Sequence, residues 1–265
     1  MSDLPVAKKF LGQHWLTDAV ALQAICDAGE ITSEDTVLEI GPGTGTLTRF
    51  LVQQAKQVVA VEFDTALAAK LPGQIKATNL SVVEQDILAY NLTELPADYK
   101  VIANIPYYLT SKLIRTLSET PNQASRVVLL IQKEVAQRVA AAPGNMSLLS
   151  VSAQFYWQVS LGIEIPAKMF TPPPKVDSQV LILTRRPEPL FLGIDDKQFF
   201  RTVKAGFSAR RKTLLNSLSA GLRMDKVEIK NSIQLAGLLT LQRPQELSLS
   251  DWHRLYVVLK DETLN

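Results

Sequence analysis

The sequence predicts an α/β protein: a mostly parallel seven-stranded sheet with an antiparallel edge strand, covered by helices, plus a small C-terminal helical domain. Three observations predict it. Short β-branched runs alternate with helix-length segments through the first half of the chain. Two later strand-like runs are joined by a proline-rich loop in place of a helix. Beyond Pro189 nothing reads as a strand.

The first five runs are Thr36–Ile40, Gln57–Val61, Leu80–Val83, Lys100–Ala103 and Arg126–Ile131. Continuous apolar runs of this length, separated by helices, are typical of parallel strands buried on both faces. Thr46–Ala55, Thr65–Leu71 and Ser111–Ser118 have the helical period between them, and Lys133–Ala141 and Ser147–Tyr156 continue it. The last two strands are Val159–Ile165 and Gln179–Thr184. Their connection contains Pro172-Pro173-Pro174, which suits an antiparallel pair closing the sheet edge. Asp195–Phe207, Ala209–Ala220, Lys226–Ala236 and Leu249–Leu259 read as helices. Six of the 14 prolines lie between Pro166 and Pro189, which places a boundary there. Residues 1–187 form the α/β domain and 188–265 the helical one.

Composition narrows the function classes. With 265 residues, 46% apolar and 20% charged, the chain can bury a core and is not disordered. A single cysteine, Cys26, permits no internal disulfide, and two histidines, His14 and His253, exclude most Cys/His zinc patterns. No bound metal is expected. The Val127–Ile131 run falls far short of the roughly 18 residues of a membrane span. The segment Met1-Ser2-Asp3-Leu4-Pro5 has no secretory apolar core. A monomeric, cytoplasmic protein is expected. The formal net charge is +2, yet Lys197, Arg201, Lys204, Arg210, Arg211, Lys212 and Arg223 occupy a stretch without an acid. Setting those seven aside leaves the rest of the chain at −5. A basic segment on an acidic body points to a polyanionic partner, although a solvated face would carry the same charges.

Three strand ends carry chemistry. The first runs into Glu39-Ile40-Gly41-Pro42-Gly43-Thr44-Gly45-Thr46, a glycine turn ahead of a helix that lets backbone approach a ligand. Its spacing is GxGxG, so the GxGxxG dinucleotide fingerprint is not met. Glu62 ends the second strand, where a carboxylate can accept both hydroxyls of a ribose and would repel a 2′-phosphate. Asp86 follows the third strand, placed to accept from an adenine amine or to order its own loop. Such an anionic rim suits a cationic nucleoside ligand, of which S-adenosylmethionine is the obvious case. The fourth strand ends in Asn104-Ile105-Pro106-Tyr107-Tyr108, the most specific feature of the chain. The Asn104 amide oxygen and the carbonyl before Pro106 offer two acceptors for an exocyclic amine. The neighbouring aromatic gives a base something to stack on.

On these residues the chain resembles the class I methyltransferases, Rossmann-like enzymes that dimethylate adenine in ribosomal RNA. More closely, it is similar to the bacterial small-subunit (16S) ribosomal RNA adenine dimethyltransferases, whose loss gives kasugamycin resistance. The resemblance begins at Lys9–Leu16 and runs through Glu39–Thr48, Val61–Asp64, Gln85–Ile87, Asn104–Tyr107 and Gln132–Val135. It extends to Pro172–Ser178, Phe207–Leu214 and Arg243–Ser248, beyond any generic methyltransferase pattern. Trp15 stands where Phe is usual, Ile105 where Leu is commoner, and Tyr108 where a small polar residue is frequent.

The resemblance implies transfer of methyl groups from S-adenosylmethionine to the N6 amines of two adjacent adenosines in the 3′-terminal hairpin loop of 16S ribosomal RNA within the small subunit, as a step of ribosome biogenesis. It assigns the cofactor to His14, Leu16, Gly41, Glu62, Asp86 and Asn104, and the stacking on the target adenine to Tyr107. The chemistry of the transfer then makes Asn104, Pro106 and Tyr107 the catalytic positions, with Phe170 a candidate for the other face of the base. Lys197, Arg201, Lys204, Arg210, Arg211 and Lys212 are the expected RNA contacts. Other readings are a large-subunit enzyme of the macrolide-resistance type, a DNA adenine methyltransferase, or a non-catalytic ribosome-assembly or transcription factor on the same fold.

Overall fold

A computed structural model describes residues 12–209 and 211–262. They fall into two compact units. One ends at Ala136 and resumes over Trp157–Arg185; the other comprises Gln137–Tyr156 and the residues from Arg186 onward. Among the described residues no helix is long and apolar enough to cross a membrane.

The first unit holds β1 (Trp15–Leu16), α1 (Ala19–Ala28), β2 (Thr36–Ile40), α2 (Thr48–Gln54), β3 (Gln57–Glu62), α3 (Thr65–Ile75) and β4 (Leu80–Glu84). β5 (Lys100–Asn104), α4 (Thr110–Glu119), β6 (Arg126–Gln132), β7 (Trp157–Ile165), β8 (Phe170–Thr171) and β9 (Ser178–Arg185) complete it. α5 (Lys133–Val139) crosses the division between the units. Seven strands form one sheet in the order β4-β3-β2-β5-β6-β9-β7, and β1 pairs with β8 in a separate two-stranded ladder. β2 through β6 run parallel, and β9 is antiparallel to both β6 and β7.

One detail differs from the sequence expectation: the antiparallel strand lies one place in from the edge, and β7 takes the edge. Side chains explain the order. Val180, Leu181 and Leu183 of β9 are fully buried and gain from neighbours on both sides. β7 exposes Gln158, Ser160 and Glu164, which an edge strand tolerates. Asp18 and Asp64 cap α1 and α3 by accepting from the backbone of Ala21 and Ala66. Leu22, Ile25, Val37, Leu51, Val58, Ile102 and Val128 are among the residues that close the core against the sheet.

The second unit is helical: α6 (Leu148–Tyr156), α7 (Asp196–Gly206), α8 (Leu214–Leu222), α9 (Lys226–Leu235) and α10 (Leu249–Glu262). Phe155, Phe199, Leu214, Leu218, Ile229, Ile233, Trp252 and Tyr256 form its core, with the Phe155 and Phe199 rings 4.9 Å apart. The predicted division at 187/188 leaves residues 137–156 on the wrong side of this grouping. Met146, Val151 and Phe155 bury their side chains in the helical core, which draws that excursion away from the sheet.

The helix expected over Ala209–Ala220 begins later, at Leu214. Lys212 N donates to Ala209 O and Leu214 N to Gln242 O at 2.7 Å, so the chain turns before it coils.

Candidate functional site

The carboxyl ends of β2, β3 and β5 and the loop after β4 open onto one cavity of about 290 Å3, the location expected for a ligand in an open α/β sheet. Every α/β-domain residue singled out from the sequence lines it: His14, Leu16, Gly41, Glu62, Asp86, Asn104, Pro106, Tyr107 and Phe170.

The floor is the turn after β2. Gly41 and Gly43 hold φ of +65° and +57°, a region that side chains resist. A Cβ on Gly43 would stand 2.5 Å from the Trp15 ring, whereas one on Gly41 would meet nothing within 4 Å. Gly43 is thus required by the packing of Trp15, and Gly41 leaves backbone open to the cavity. Glu62 pins the turn from β3: Oε2 accepts the Gly43 amide at 3.0 Å and Oε1 the Asp64 amide at 2.8 Å. Burial holds its carboxyl above the ordinary range. A carboxylate offers about four acceptor sites, so two backbone amides leave capacity for a ligand.

Glu39 lines the same cavity, although in the sequence it reads only as the end of a buried strand. It is 1% exposed, and its Oε2 has no hydrogen-bond partner among the described residues. Burial, with the charge of Glu62 adding to it, pushes its carboxyl up to about 8. Asp86 lies exposed on the rim, where Oδ1 accepts the Leu88 amide and orders its own loop.

The opposite wall is built by β5 and the short ladder. Asn104 is half-buried at the end of β5, and its Nδ2 donates to His14 O at 3.4 Å. That leaves Oδ1 available as an acceptor, beside the Ile105 carbonyl that precedes Pro106. Tyr107 packs its ring against His14 with centroids 6.2 Å apart and 22° between planes. Its hydroxyl hydrogen-bonds Ser178 Oγ at 2.8 Å. Burial keeps that phenol above its ordinary pKa and therefore protonated. His14 Nδ1–H donates to Pro172 O at 2.7 Å, and Leu16 pairs with Phe170 across β1 and β8. The segment from Phe170 to Ser178 therefore braces both His14 and Tyr107. Ser178 has no local signal in the sequence, because its partner lies 71 residues away.

The basic residues belong to the helical unit. Lys197, Arg201 and Lys204 lie on the exposed side of α7, while Phe199 and Val203 are buried. Arg211 and Lys212 lie exposed in the turn before α8. None of these five makes an ion pair or side-chain hydrogen bond among the described residues. Arg210, and residues Lys9 to Leu11 of the first resembling segment, lie outside the described residues.

The sequence profile of the family described as "Ribosomal RNA adenine dimethylase" matches residues 6–261. A protein of Dehalococcoides mccartyi named "Ribosomal RNA small subunit methyltransferase A" is 38% identical over 256 residues, covering 95% of this chain and 88% of its own. One of the same name from Streptococcus gordonii is 38% identical over 270 residues, covering 97% and 93%. Among solved structures, a dimethyladenosine transferase from Plasmodium falciparum superposes with a TM-score of 0.80 at 27% identity, over 94% of this chain and 98% of that one. The 23S rRNA methyltransferase ErmE does so with a TM-score of 0.75 at 27% identity, over 93% and 99%.

Proposed function

The chain belongs to the ribosomal RNA adenine dimethylase family, and we propose that it uses S-adenosylmethionine to dimethylate the N6 amines of two adjacent adenosines in the 3′-terminal hairpin loop of 16S ribosomal RNA in the small subunit, a step of ribosome biogenesis. The observation that carries the reading is Asn104: an amide oxygen free to accept, beside a carbonyl acceptor and a tyrosine ring, in the same cavity as the glycine turn.

The residues fit the cofactor. The Glu62 carboxylate and the exposed Asp86 line the cavity and suit a cationic nucleoside, while the protonated Glu39, with a buried oxygen that has no partner among the described residues, adds no charge. Gly41 leaves room for close backbone approach, Glu62 would accept from the ribose hydroxyls, and His14 and Leu16 close the other side. When bound, S-adenosylmethionine supplies an electrophilic methyl carbon on a sulfonium, with a neutral thioether as leaving group.

The protein's own part is positioning. An adenine extruded from an unpaired loop, where unstacking costs least, enters beside Tyr107. Asn104 Oδ1 and the Ile105 carbonyl accept the amine hydrogens and turn the nitrogen lone pair toward the methyl group. Pro106 fixes the backbone between these acceptors and the stacking ring, and Phe170 bounds the base's other face. Holding the reactants in line can supply several kcal/mol, on the order of 7–11. The first transfer leaves a positively charged methylated nitrogen that releases one proton to solvent; the remaining hydrogen of the monomethyl amine then turns to one acceptor and the restored lone pair faces a second donor.

In this reading the unit that holds the sheet carries catalysis and the helical unit the RNA contacts, through Lys197, Arg201, Lys204, Arg210, Arg211 and Lys212. In the same reading the protein acts as a monomer, in the cytoplasm where small subunits are. A large-subunit target is the second reading, favoured by the likeness to ErmE. The relatives at 38% identity carry the small-subunit name. Labelled methyl transfer to undermethylated subunits of each kind, with mapping of the modified bases, separates the two. Dimethyladenosine at adjacent positions of the 16S hairpin supports the first; label confined to 23S RNA overturns it.

A further inference from the structure

Tyr108 stands at the rim of the cavity, and the positioning of the target adenine does not use it. It follows Tyr107 in the 3-10 turn Tyr107–Leu109, where successive side chains are rotated by about a third of a turn. Tyr107 thereby reaches Ser178, while Tyr108, 66% exposed, lines the mouth. The ring edge lies beside Gly12, where a Cβ would stand 3.8 Å from two ring carbons. Gly12 has φ of +65° and no side chain, so it places no side chain against this flank of the ring. Tyr108 makes no hydrogen bond or ring contact among the described residues.

Four residues on, in the first turn of α4, exposed Lys112 lines the same cavity and has no ion-pair partner among the described residues. Both side chains line the mouth of this one cavity. Arg115, on the same helix, is instead engaged by Glu119 at 2.8 Å. A lone exposed tyrosine is ordinary. An exposed ring and an ammonium with no ion-pair partner among the described residues, together at the mouth of a pocket for an extruded base, match one nucleotide: a base face and its phosphate.

We propose that Tyr108 and Lys112 form a second nucleotide subsite, in which the ring stacks on the base next to the target adenosine and the ammonium meets that nucleotide's phosphate. The subsite rests on reading the cavity as an adenosine pocket. It is built for unpaired RNA, since only a splayed strand offers a neighbouring base face outside the pocket. It would hold the second adenosine of the pair while the first reacts.

The test is steady-state methyl transfer to undermethylated small subunits, with S-adenosylmethionine binding followed by calorimetry. Tyr108→Ala should raise KM for subunits about 5- to 150-fold, the range that one stacked base supplies. Tyr108→Phe, which keeps the ring, should recover most of that loss. Lys112→Gln should lower the slope of log affinity against log salt by about 0.7, the value for one phosphate on a single strand. S-adenosylmethionine affinity that falls as KM rises would overturn the subsite, because the residues would then shape the cofactor pocket. An unchanged KM in Tyr108→Ala, or an unchanged slope in Lys112→Gln, overturns it too, while wild-type transfer to subunits leaves the proposed function standing. A wild-type protein that methylates no subunit overturns both.

Discussion

Replacing Glu62 by Gln tests how the cavity holds a ribose. Its two oxygens accept the amides of Gly43 at 3.0 Å and Asp64 at 2.8 Å. Glutamine fills the same space but presents one oxygen and one NH2. Whichever way it turns, two donors then meet at one of those amides. One backbone bond and one proposed ribose acceptor disappear together. A hydrogen bond to a charged group is worth about 1.5–3 kcal/mol, so S-adenosylmethionine should bind about 10- to 150-fold more weakly. Stability should respond less. Burial already disfavours the Glu62 charge, so removing that charge offsets part of the missing amide bond. The Tm of the ligand-free protein should move by no more than about 4 °C, the shift of ~1 kcal/mol in a chain of this size. Titration calorimetry reads the first quantity and scanning calorimetry the second. Unchanged cofactor affinity would refute the ribose interaction. A large fall in Tm with a matching loss of affinity would make Glu62 a brace for the glycine turn and nothing more.

Three further outcomes follow from the geometry. Ser178→Ala frees the Tyr107 hydroxyl and should lower kcat about 2- to 12-fold, for a bond worth about 0.5–1.5 kcal/mol. Tyr107→Phe should do the same, and the double variant should be no worse than either; additive losses in initial rate would show that the bond does not link them. Arg211→Glu with Lys212→Glu should reduce the salt slope of subunit binding by about 0.7–0.9 for each phosphate no longer neutralised, and an unchanged slope would leave them a solvated face. For Glu39, the folded carboxyl is pushed up to about 8 from 4.5. Between those values the unfolded chain has released a proton that the fold retains, so stability falls as pH rises. The Tm advantage of Glu39→Gln over wild type should therefore grow from pH 5 to pH 8; an advantage independent of pH would refute a protonated Glu39.

The central strands are legible in the sequence because a parallel strand buried on both faces must be apolar throughout, as Val127–Ile131 is. The glycine turn and the Asn104–Tyr107 segment are legible because short-range backbone constraint writes itself into neighbouring residues. Other features are not. β1 and β8 are two residues each and have no period to read; only the fold brings Trp15 against Thr171. Residues 137–156 join the helical core through Met146, Val151 and Phe155, whose partners are distant in sequence. The late start of α8 depends on Leu214 N reaching Gln242 O, again a long-range bond. Glu39 looks like one more residue of a strand, and its importance lies in an oxygen without a partner among the described residues, which no sequence pattern displays.

If Asn104 orients the adenine amine for methyl transfer, Asn104→Ala must separate turnover from binding. Undermethylated small subunits and S-adenosylmethionine are supplied at saturation, turnover is followed with label, and the RNA is digested to nucleosides. The variant should bind subunits as the wild type does, with kcat reduced by about 10²–10³, the loss seen when one preorganised partner of a reacting group is removed. Dimethyladenosine should vanish from the digest. Turnover near wild type, or a loss accounted for entirely by weaker subunit binding, would contradict that role for Asn104.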